Sequence, residues 1–209
     1  MDTQQEMAMT AMRQYVSDMV ALESHIEEAL DGQLREVRDH PQAAAALERF
    51  HSTVRNQREA LRVHFQRIGG DASGPLKTAV AAAFGMAAGA INRVRSQGTS
   101  KALRDDYTAF NHAAAGYAML LTTAELLGFQ ETAELAAQHL QAYDQAVEEI
   151  AGLLPEVVAW ELRRDGHLVD ERASGRAAQT LVRIWRGKDI GAGDGAGVAP
   201  SGGDGTRAA

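Results

Sequence analysis

The chain has 209 residues, a formal net charge of −7 and no cysteine. Its length allows one domain with appendages, and the missing thiols exclude disulfides, zinc–thiolate sites, iron–sulfur clusters and thiol catalysis. The acidic balance gives no reason to expect a nucleic-acid partner, and an aromatic content of only 5 % favours packed helices over a β-sandwich or barrel.

The first two predicted helices are long and are joined by a short turn. Apolar residues recur at spacings of three and four over residues 4–38 and again over 41–68, which predicts two amphipathic helices. Pro41 separates them, because proline disfavours a helical conformation in the preceding residue and suits the first turn of the next helix. Gly69 and Gly70 end the second helix.

Three further predicted helices complete a bundle. Residues 75–95 form a small helix, rich in alanine and glycine, that carries the chain back along the first pair. Two long amphipathic helices follow at 100–127 and 130–152, separated by Gly128. Four long helices with one long connection predict an all-α, ferritin-like four-helix bundle with a crossover helix.

The remainder of the chain is predicted to form an appendage. Pro155 starts a shorter amphipathic helix, so the bundle domain is placed at 1–155 and an additional C-terminal helical segment at 156–188. Residues 189–209 are rich in glycine and alanine and have almost nothing to bury, so we expect them to be disordered.

A short amphipathic segment within this appendage, residues 176–186, is a candidate partner-binding element. Tryptophan and arginine together are typical of interface anchors. The segment either packs back on its own bundle, binds a protein partner or second subunit, or lies on a membrane surface. The candidate partner-binding residues are Leu181, Arg183, Ile184, Trp185 and Arg186.

Four short segments, taken in order and spacing, resemble the YciF-type ferritin-like bacterial stress proteins over about residues 10–155. They are Leu-Glu-Ser-His-Ile at 22–26, Arg-Ile-Gly at 67–69, Ala-Gly-Tyr at 115–117 and Leu-Gly at 127–128. The resemblance implies the ferritin-like fold and a stress-related role. In the wider ferritin-like class, carboxylates and histidines from the four long helices often bind two metals.

Most of the ligand positions that this resemblance implies are occupied by other residue types. Glu23 matches the carboxylate of the first helix, but the histidine position of the second helix falls at Gln57, with Arg55 and Arg58 nearby. One glutamate beside two arginines does not balance the charge of two divalent cations. We therefore expect no cofactor, with iron or manganese as the alternative.

Two interpretations remain for His112. It belongs either to a hydrogen-bonded core cluster with Tyr143 and Asp144, or to a residual mononuclear metal site formed by Glu23, His112 and Asp144. The paired positions of the two C-terminal long helices bring these side chains to similar levels of the bundle.

Two further sets of side chains have charges or spacing that predict an interaction. Glu23 is expected to form a buried structural ion pair with Arg55 or Arg58, which replaces the metal and sets the helix register. Glu48 and His51 have the spacing of a ligand pair, but they lie about 9 Å along the axis from the level of Glu23 and are interpreted as an exposed helix face.

These features predict a non-enzymatic bundle protein, with no catalytic residues, that acts through self-association or a protein partner. No apolar run is long enough for a transmembrane segment, and the first residues lack the order of a signal peptide, so we expect a cytoplasmic protein. A homodimer is predicted. The alternative function is that of a di-metal oxidase or an iron-storage protein.

Overall fold

The computed structural model describes residues 3–71 and 98–186. Five α-helices lie in these ranges and no strand does. They are α1 (Thr3–Glu36), α2 (Pro41–Arg67), α3 (Thr99–Leu127), α4 (Gln130–Arg164) and α5 (Glu171–Arg186). The predicted crossover helix at 75–95 and the predicted disordered tail at 189–209 lie outside the described residues.

The turn between α1 and α2 and the one between α3 and α4 form as the sequence predicts. Pro41 occupies the first turn of α2, and the side chain of His40 accepts a hydrogen bond from the backbone N–H of Ala43 at 3.2 Å. Gly128 ends α3 with a φ of +76°, a left-handed conformation that glycine adopts without a steric cost. These short turns make each helix pair antiparallel.

The predicted helix break at Pro155 is wrong, because α4 continues through this residue to Arg164. Proline removes one helical hydrogen bond, but the turns that follow remain packed. Val157 is completely buried, and the ring of Trp160 stacks edge-on against His40 at 5.1 Å. Burial of the helix end therefore outweighs the missing bond.

The helices pack as a four-helix bundle with α5 as an addition. α1 packs on α2 and α3, α4 packs on α2 and α3, and α5 packs on α4. Ion pairs Arg49–Glu149 and Arg67–Glu131 show that α2 and α4 are antiparallel. It follows that α2 and α3 are parallel. This arrangement confirms the predicted fold class.

A continuous apolar core runs along the axis of the bundle. Its largest fully buried apolar side chains include Met12, Leu30, Leu47, Leu61, Phe110 and Leu120. None of the helices within the described ranges is both long enough and apolar enough to cross a membrane.

Candidate functional site

Glu23 of α1 lies at the centre of the bundle with 0 % of its side chain surface exposed. Its Oε2 accepts a hydrogen bond from the hydroxyl of Tyr143 on α4 at 2.7 Å, and its Oε1 accepts one from the hydroxyl of Tyr117 on α3. An unpaired buried carboxyl group would be strongly destabilising. The two tyrosines offset part of this cost and join three helices at one level.

The hydrogen-bonded cluster extends to His139 of α4 and Gln57 of α2. Nδ1 of His139 lies 3.0 Å from the hydroxyl oxygen of Tyr117, and Gln57 donates to the backbone carbonyl of His139 at 3.2 Å. Gln57 Oε1 is buried and has no hydrogen-bond partner among the described residues. We call Glu23, Gln57, Tyr117, His139 and Tyr143 the central polar cluster.

Burial controls the charge of the central polar cluster. It raises the pKa of Glu23 to about 7, against a smaller lowering by the hydrogen bonds from Tyr117 and Tyr143. Burial lowers the pKa of His139 to about 4, so its imidazole is neutral at pH 7. Burial, followed by the Glu23 carboxylate, raises the pKa of both tyrosines well above the usual range. Near pH 7 the cluster carries at most one negative charge.

Aromatic rings and a glycine hold the cluster in place. The ring of Tyr143 packs against Phe110 at 5.3 Å, and the ring of Tyr117 packs edge-on against His139 at 5.2 Å. A Cβ added at Gly116 would lie only 2.8 Å from Sδ of Met19. The Ala-Gly-Tyr segment therefore lets α1 approach α3 at the level where Tyr117 reaches Glu23.

One side of the cluster borders a groove between α2 and α4. The groove has a volume of about 170 Å³. Gln57, Tyr143 and Phe110 are among its lining residues, and Arg49 and Glu149 form an ion pair there. The cluster is thus fully buried toward α1 and α3 but lies close to solvent on the α2–α4 side.

The structure does not bring His112 and Asp144 to Glu23. Both side chains are exposed, whereas Glu23 is fully buried. Successive helical residues point about 100° apart, so the inward positions are Ala113 and Tyr143 rather than their neighbours. The predicted mononuclear site and the predicted His112–Tyr143–Asp144 core cluster are both wrong, although Tyr143 itself is buried.

The predicted ion pair of Glu23 with Arg55 or Arg58 is also wrong. Nε of Arg58 lies 2.7 Å from Oε2 of Glu27, and Arg55 is exposed. Glu27 lies one helical turn from Glu23 and closer to solvent, so the guanidinium group keeps more of its hydration there.

The Glu48–His51 pair does not act as a ligand pair either. Glu48 is exposed, and Nε2 of His51 lies 3.0 Å from Oδ1 of Asp31. His51 thus forms a cross-helix contact with α1 at a level different from that of Glu23.

The residues of the cluster do not fit a centre with two divalent metals. Within residues 3–71 and 98–186, no group of three or more His, Asp or Glu side chains has the geometry of a metal site. The cluster supplies one carboxyl group, and two divalent cations carry four positive charges that need several anionic ligands.

The sequence pointed to Glu23 and to Gln57 as positions at the bundle centre. It did not identify Tyr117 and His139 as members of the same cluster. The sequence places Tyr117 in the Ala-Gly-Tyr segment at 115–117 but does not identify it as a partner of Glu23. His139 lies three residues after the buried Ala136 and four before the buried Tyr143. That spacing places it on the buried face of α4 and is the signal that could have found it.

The candidate partner-binding residues lie on α5, which packs on α4. Leu181 is half-buried, Arg183 is exposed, and Ile184 is 54 % exposed. The side chains of Trp185 and Arg186 lie outside what the structure describes.

No curated protein matches the chain. A solved structure of a protein from Xanthomonas campestris pv. campestris is similar with a TM-score of 0.63 and 15 % sequence identity, over 77 % of this chain and 99 % of that one. At this identity the likeness shows the fold alone. A family model described as a domain of unknown function, DUF892, matches residues 12–163, and the chain therefore belongs to the DUF892 family.

Proposed function

We propose that this protein is a non-enzymatic, ferritin-like bundle protein that acts in the cytoplasm through self-association or a protein partner. The observation that carries the proposal is the pairing of Glu23, the carboxyl group at the bundle centre, with two tyrosine hydroxyls. Ferritin-like oxidases need several carboxylates at this level. The stress-related role implied by the resemblance is part of the proposal.

The C-terminal end of the molecule supports association with another protein. Exposed apolar side chains occur on the end of α4, in the loop after it and on α5. They are Val158, Leu162, Leu168, Val182 and Ile184, and we call them the C-terminal apolar residues. Such side chains, when close together, mark interaction sites.

Charge supports the same conclusion. Residues 163–188 contain seven Lys and Arg residues against three Asp and Glu residues, in a chain whose net charge is −7. A basic segment on an acidic molecule is attracted to the acidic surface of a second copy, whereas a basic partner would repel it. A homodimer held partly by this segment is therefore the form of self-association that we propose.

The metal content of the purified protein tests the non-enzymatic part of the proposal. The full-length chain would be purified from cells grown with added iron or manganese, and bound metal would be counted per chain. About two ions per chain would contradict the proposal and support a di-metal oxidase or iron-storage protein. A value well below that agrees with it.

A further inference from the structure

We propose that an arginine face on α5 docks against an acidic face on α4 of a second copy of this chain. This inference rests on the proposed homodimer and names the two surfaces that form it. The arginine face consists of Arg172, Arg176 and Arg183, and the acidic face consists of Glu134, Asp144 and Glu148. All six side chains are exposed.

α5 gains little stability from its own chain. No side chain between residues 172 and 184 is buried, although the helix lies against α4. A helix of this length draws most of its stability from packing an apolar face. Val182 and Ile184 are 44 % and 54 % exposed and flank Arg183. The family model matches residues 12–163 only, so the family domain itself does not include this surface.

The three arginines form one stripe along α5. Their spacings of four and seven residues place them within about 40° of one another around the helix and spread them over roughly 16 Å of its axis. Arg176 pairs with Asp170 in the loop before α5 at 2.6 Å. Within residues 3–71 and 98–186, no ion pair involves Arg172 or Arg183. Like charges at such spacings repel one another, so the stripe favours contact with an anionic surface of similar length.

α4 presents an anionic surface of this kind. Residues 130–162 contain seven Asp and Glu residues and no Lys or Arg. Glu131 and Glu149 pair with arginines of α2. The three residues of the acidic face form no ion pair with any residue that the structure describes. Their charge is therefore available to a second molecule.

The two faces also match in dimensions. The acidic face spans roughly 21 Å along α4, enough to accommodate the whole arginine stripe. Arg172 and Arg176 are four residues apart, as are Asp144 and Glu148, so an antiparallel pair of helices aligns both sets of charges. In a two-fold symmetric dimer each copy provides both faces, and the contact forms twice.

The test reverses the charge of each face in the full-length chain. Arg172→Glu with Arg183→Glu reverses the arginine face, and Asp144→Lys with Glu148→Lys reverses the acidic face. Each double variant alone should raise the dimer dissociation constant by roughly tenfold or more, because like charges then meet at both contacts. Analytical ultracentrifugation in about 50 mM salt measures this constant where surface charges are weakly screened.

An equimolar mixture of the two double variants should restore dimers. Each mixed dimer again brings opposite charges together at both contacts. A single chain that carries all four substitutions should likewise form homodimers. The matched control is Arg38→Glu with Arg55→Glu, which changes the net charge by the same amount at two exposed arginines and should leave the dimer intact. Circular dichroism shows whether each variant is helical.

The possible failures of the two proposals are distinct. If wild type is a dimer that survives both reversals, or if the mixture forms no more dimer than either variant alone, the docking of these two faces is overturned while the homodimer stands. A wild-type mass of one chain overturns both. Binding of that single chain to vesicles of anionic lipid would then assign the arginine face to a membrane surface.

Discussion

Glu23 and its neighbours form a chain of hydrogen bonds whose directions depend on one proton. When Glu23 is ionised, the hydroxyl of Tyr117 donates to it and therefore accepts from Nδ1–H of His139. When Glu23 is protonated on Oε1, it donates to Tyr117, which then donates to a His139 that is protonated on Nε2. The protonation of the Glu23 carboxyl group thus sets the tautomer of His139, which is connected to it through two hydrogen bonds.

The stability of the protein should fall with rising pH because of Glu23. Its folded-state pKa of about 7 lies above the ordinary value of 4.5, so the folded protein holds this proton more tightly than the unfolded chain. The stabilising effect is complete below pH 4.5 and is lost as the pH rises through 7. Between pH 5 and pH 8, wild type should lose about 2–3 kcal/mol relative to Glu23→Gln.

Urea unfolding of both proteins at the two pH values checks this difference. The comparison with Glu23→Gln is needed because burial lowers the pKa of His139, which destabilises the folded state as the pH falls from 6.5 toward 4. That effect is common to both proteins and cancels. Equal pH dependence in wild type and variant would show that Glu23 does not hold a proton in the folded state.

The two tyrosine hydroxyls should contribute unequally to stability. Tyr143→Phe removes one hydrogen bond and leaves Glu23 Oε2 unpaired, which should cost about 1–3 kcal/mol. Tyr117→Phe should cost more, because this hydroxyl contacts both Glu23 and His139. Chemical denaturation at pH 8 measures both variants. Tyr15→Phe, a change at a half-buried tyrosine of α1, is the matched control. A larger loss of unfolding free energy for Tyr143→Phe than for Tyr117→Phe would contradict this ranking.

At the scale of the helices, the spacing of apolar residues predicted the elements better than proline and glycine predicted their ends. Apolar spacing predicted the four long helices, and Pro41 and Gly128 mark helix ends as expected. Pro155 does not, because the apolar face of α4 continues beyond it to the buried Val157 and Ala159. A proline weakens a helix at its position but does not by itself end it.

Replacing this internal proline should stabilise the protein. Pro155→Ala restores the backbone N–H that α4 lacks and removes a ring that crowds the preceding turn, which should add about 1–3 kcal/mol. Pro41→Ala is the matched control, because a proline in the first helical turn breaks no bond and the change should be small. Thermal unfolding compares the two. A destabilised Pro155→Ala variant would mean that the proline itself is needed for the packing of α4.

The N-terminus of α3 is capped by a side chain of another helix, α4. Gly98 precedes this helix without a capping side chain, and Glu161 of α4 instead accepts a hydrogen bond from the backbone N–H of Ser100 at 3.0 Å. A carboxylate at a helix N-terminus also interacts favourably with the helix dipole. The end of α4 beyond Pro155 therefore helps to define where α3 begins, which joins the predicted appendage to the bundle.

At the scale of the whole molecule, self-association is the predicted property. Light scattering of the full chain should give twice the chain mass of 22.4 kDa. Ile184→Glu places a charge among the C-terminal apolar residues and should shift the mass toward that of one chain. Met119→Glu is the control, because Met119 is 57 % exposed on α3.

A mass of one chain for wild type at micromolar concentration would contradict the proposed homodimer. Equal effects of the two substitutions would place the contact elsewhere than at the C-terminal apolar residues. Dissociation of wild type by salt alone would indicate that the arginines of 163–188 contribute most of the attraction.

The sequence by itself determined the four long helices of the bundle and their order, because both follow from the spacing of apolar residues along the chain. It pointed to Glu23 through the family resemblance. Only the tertiary structure decided what Glu23 contacts. Its partners Tyr117 and Tyr143 lie 94 and 120 residues away. A rotation of α3 or α4 by one residue would have turned His112 inward in place of Ala113, or Asp144 inward in place of Tyr143. Such rotations are set by the packing of whole helices, which no local pattern specifies.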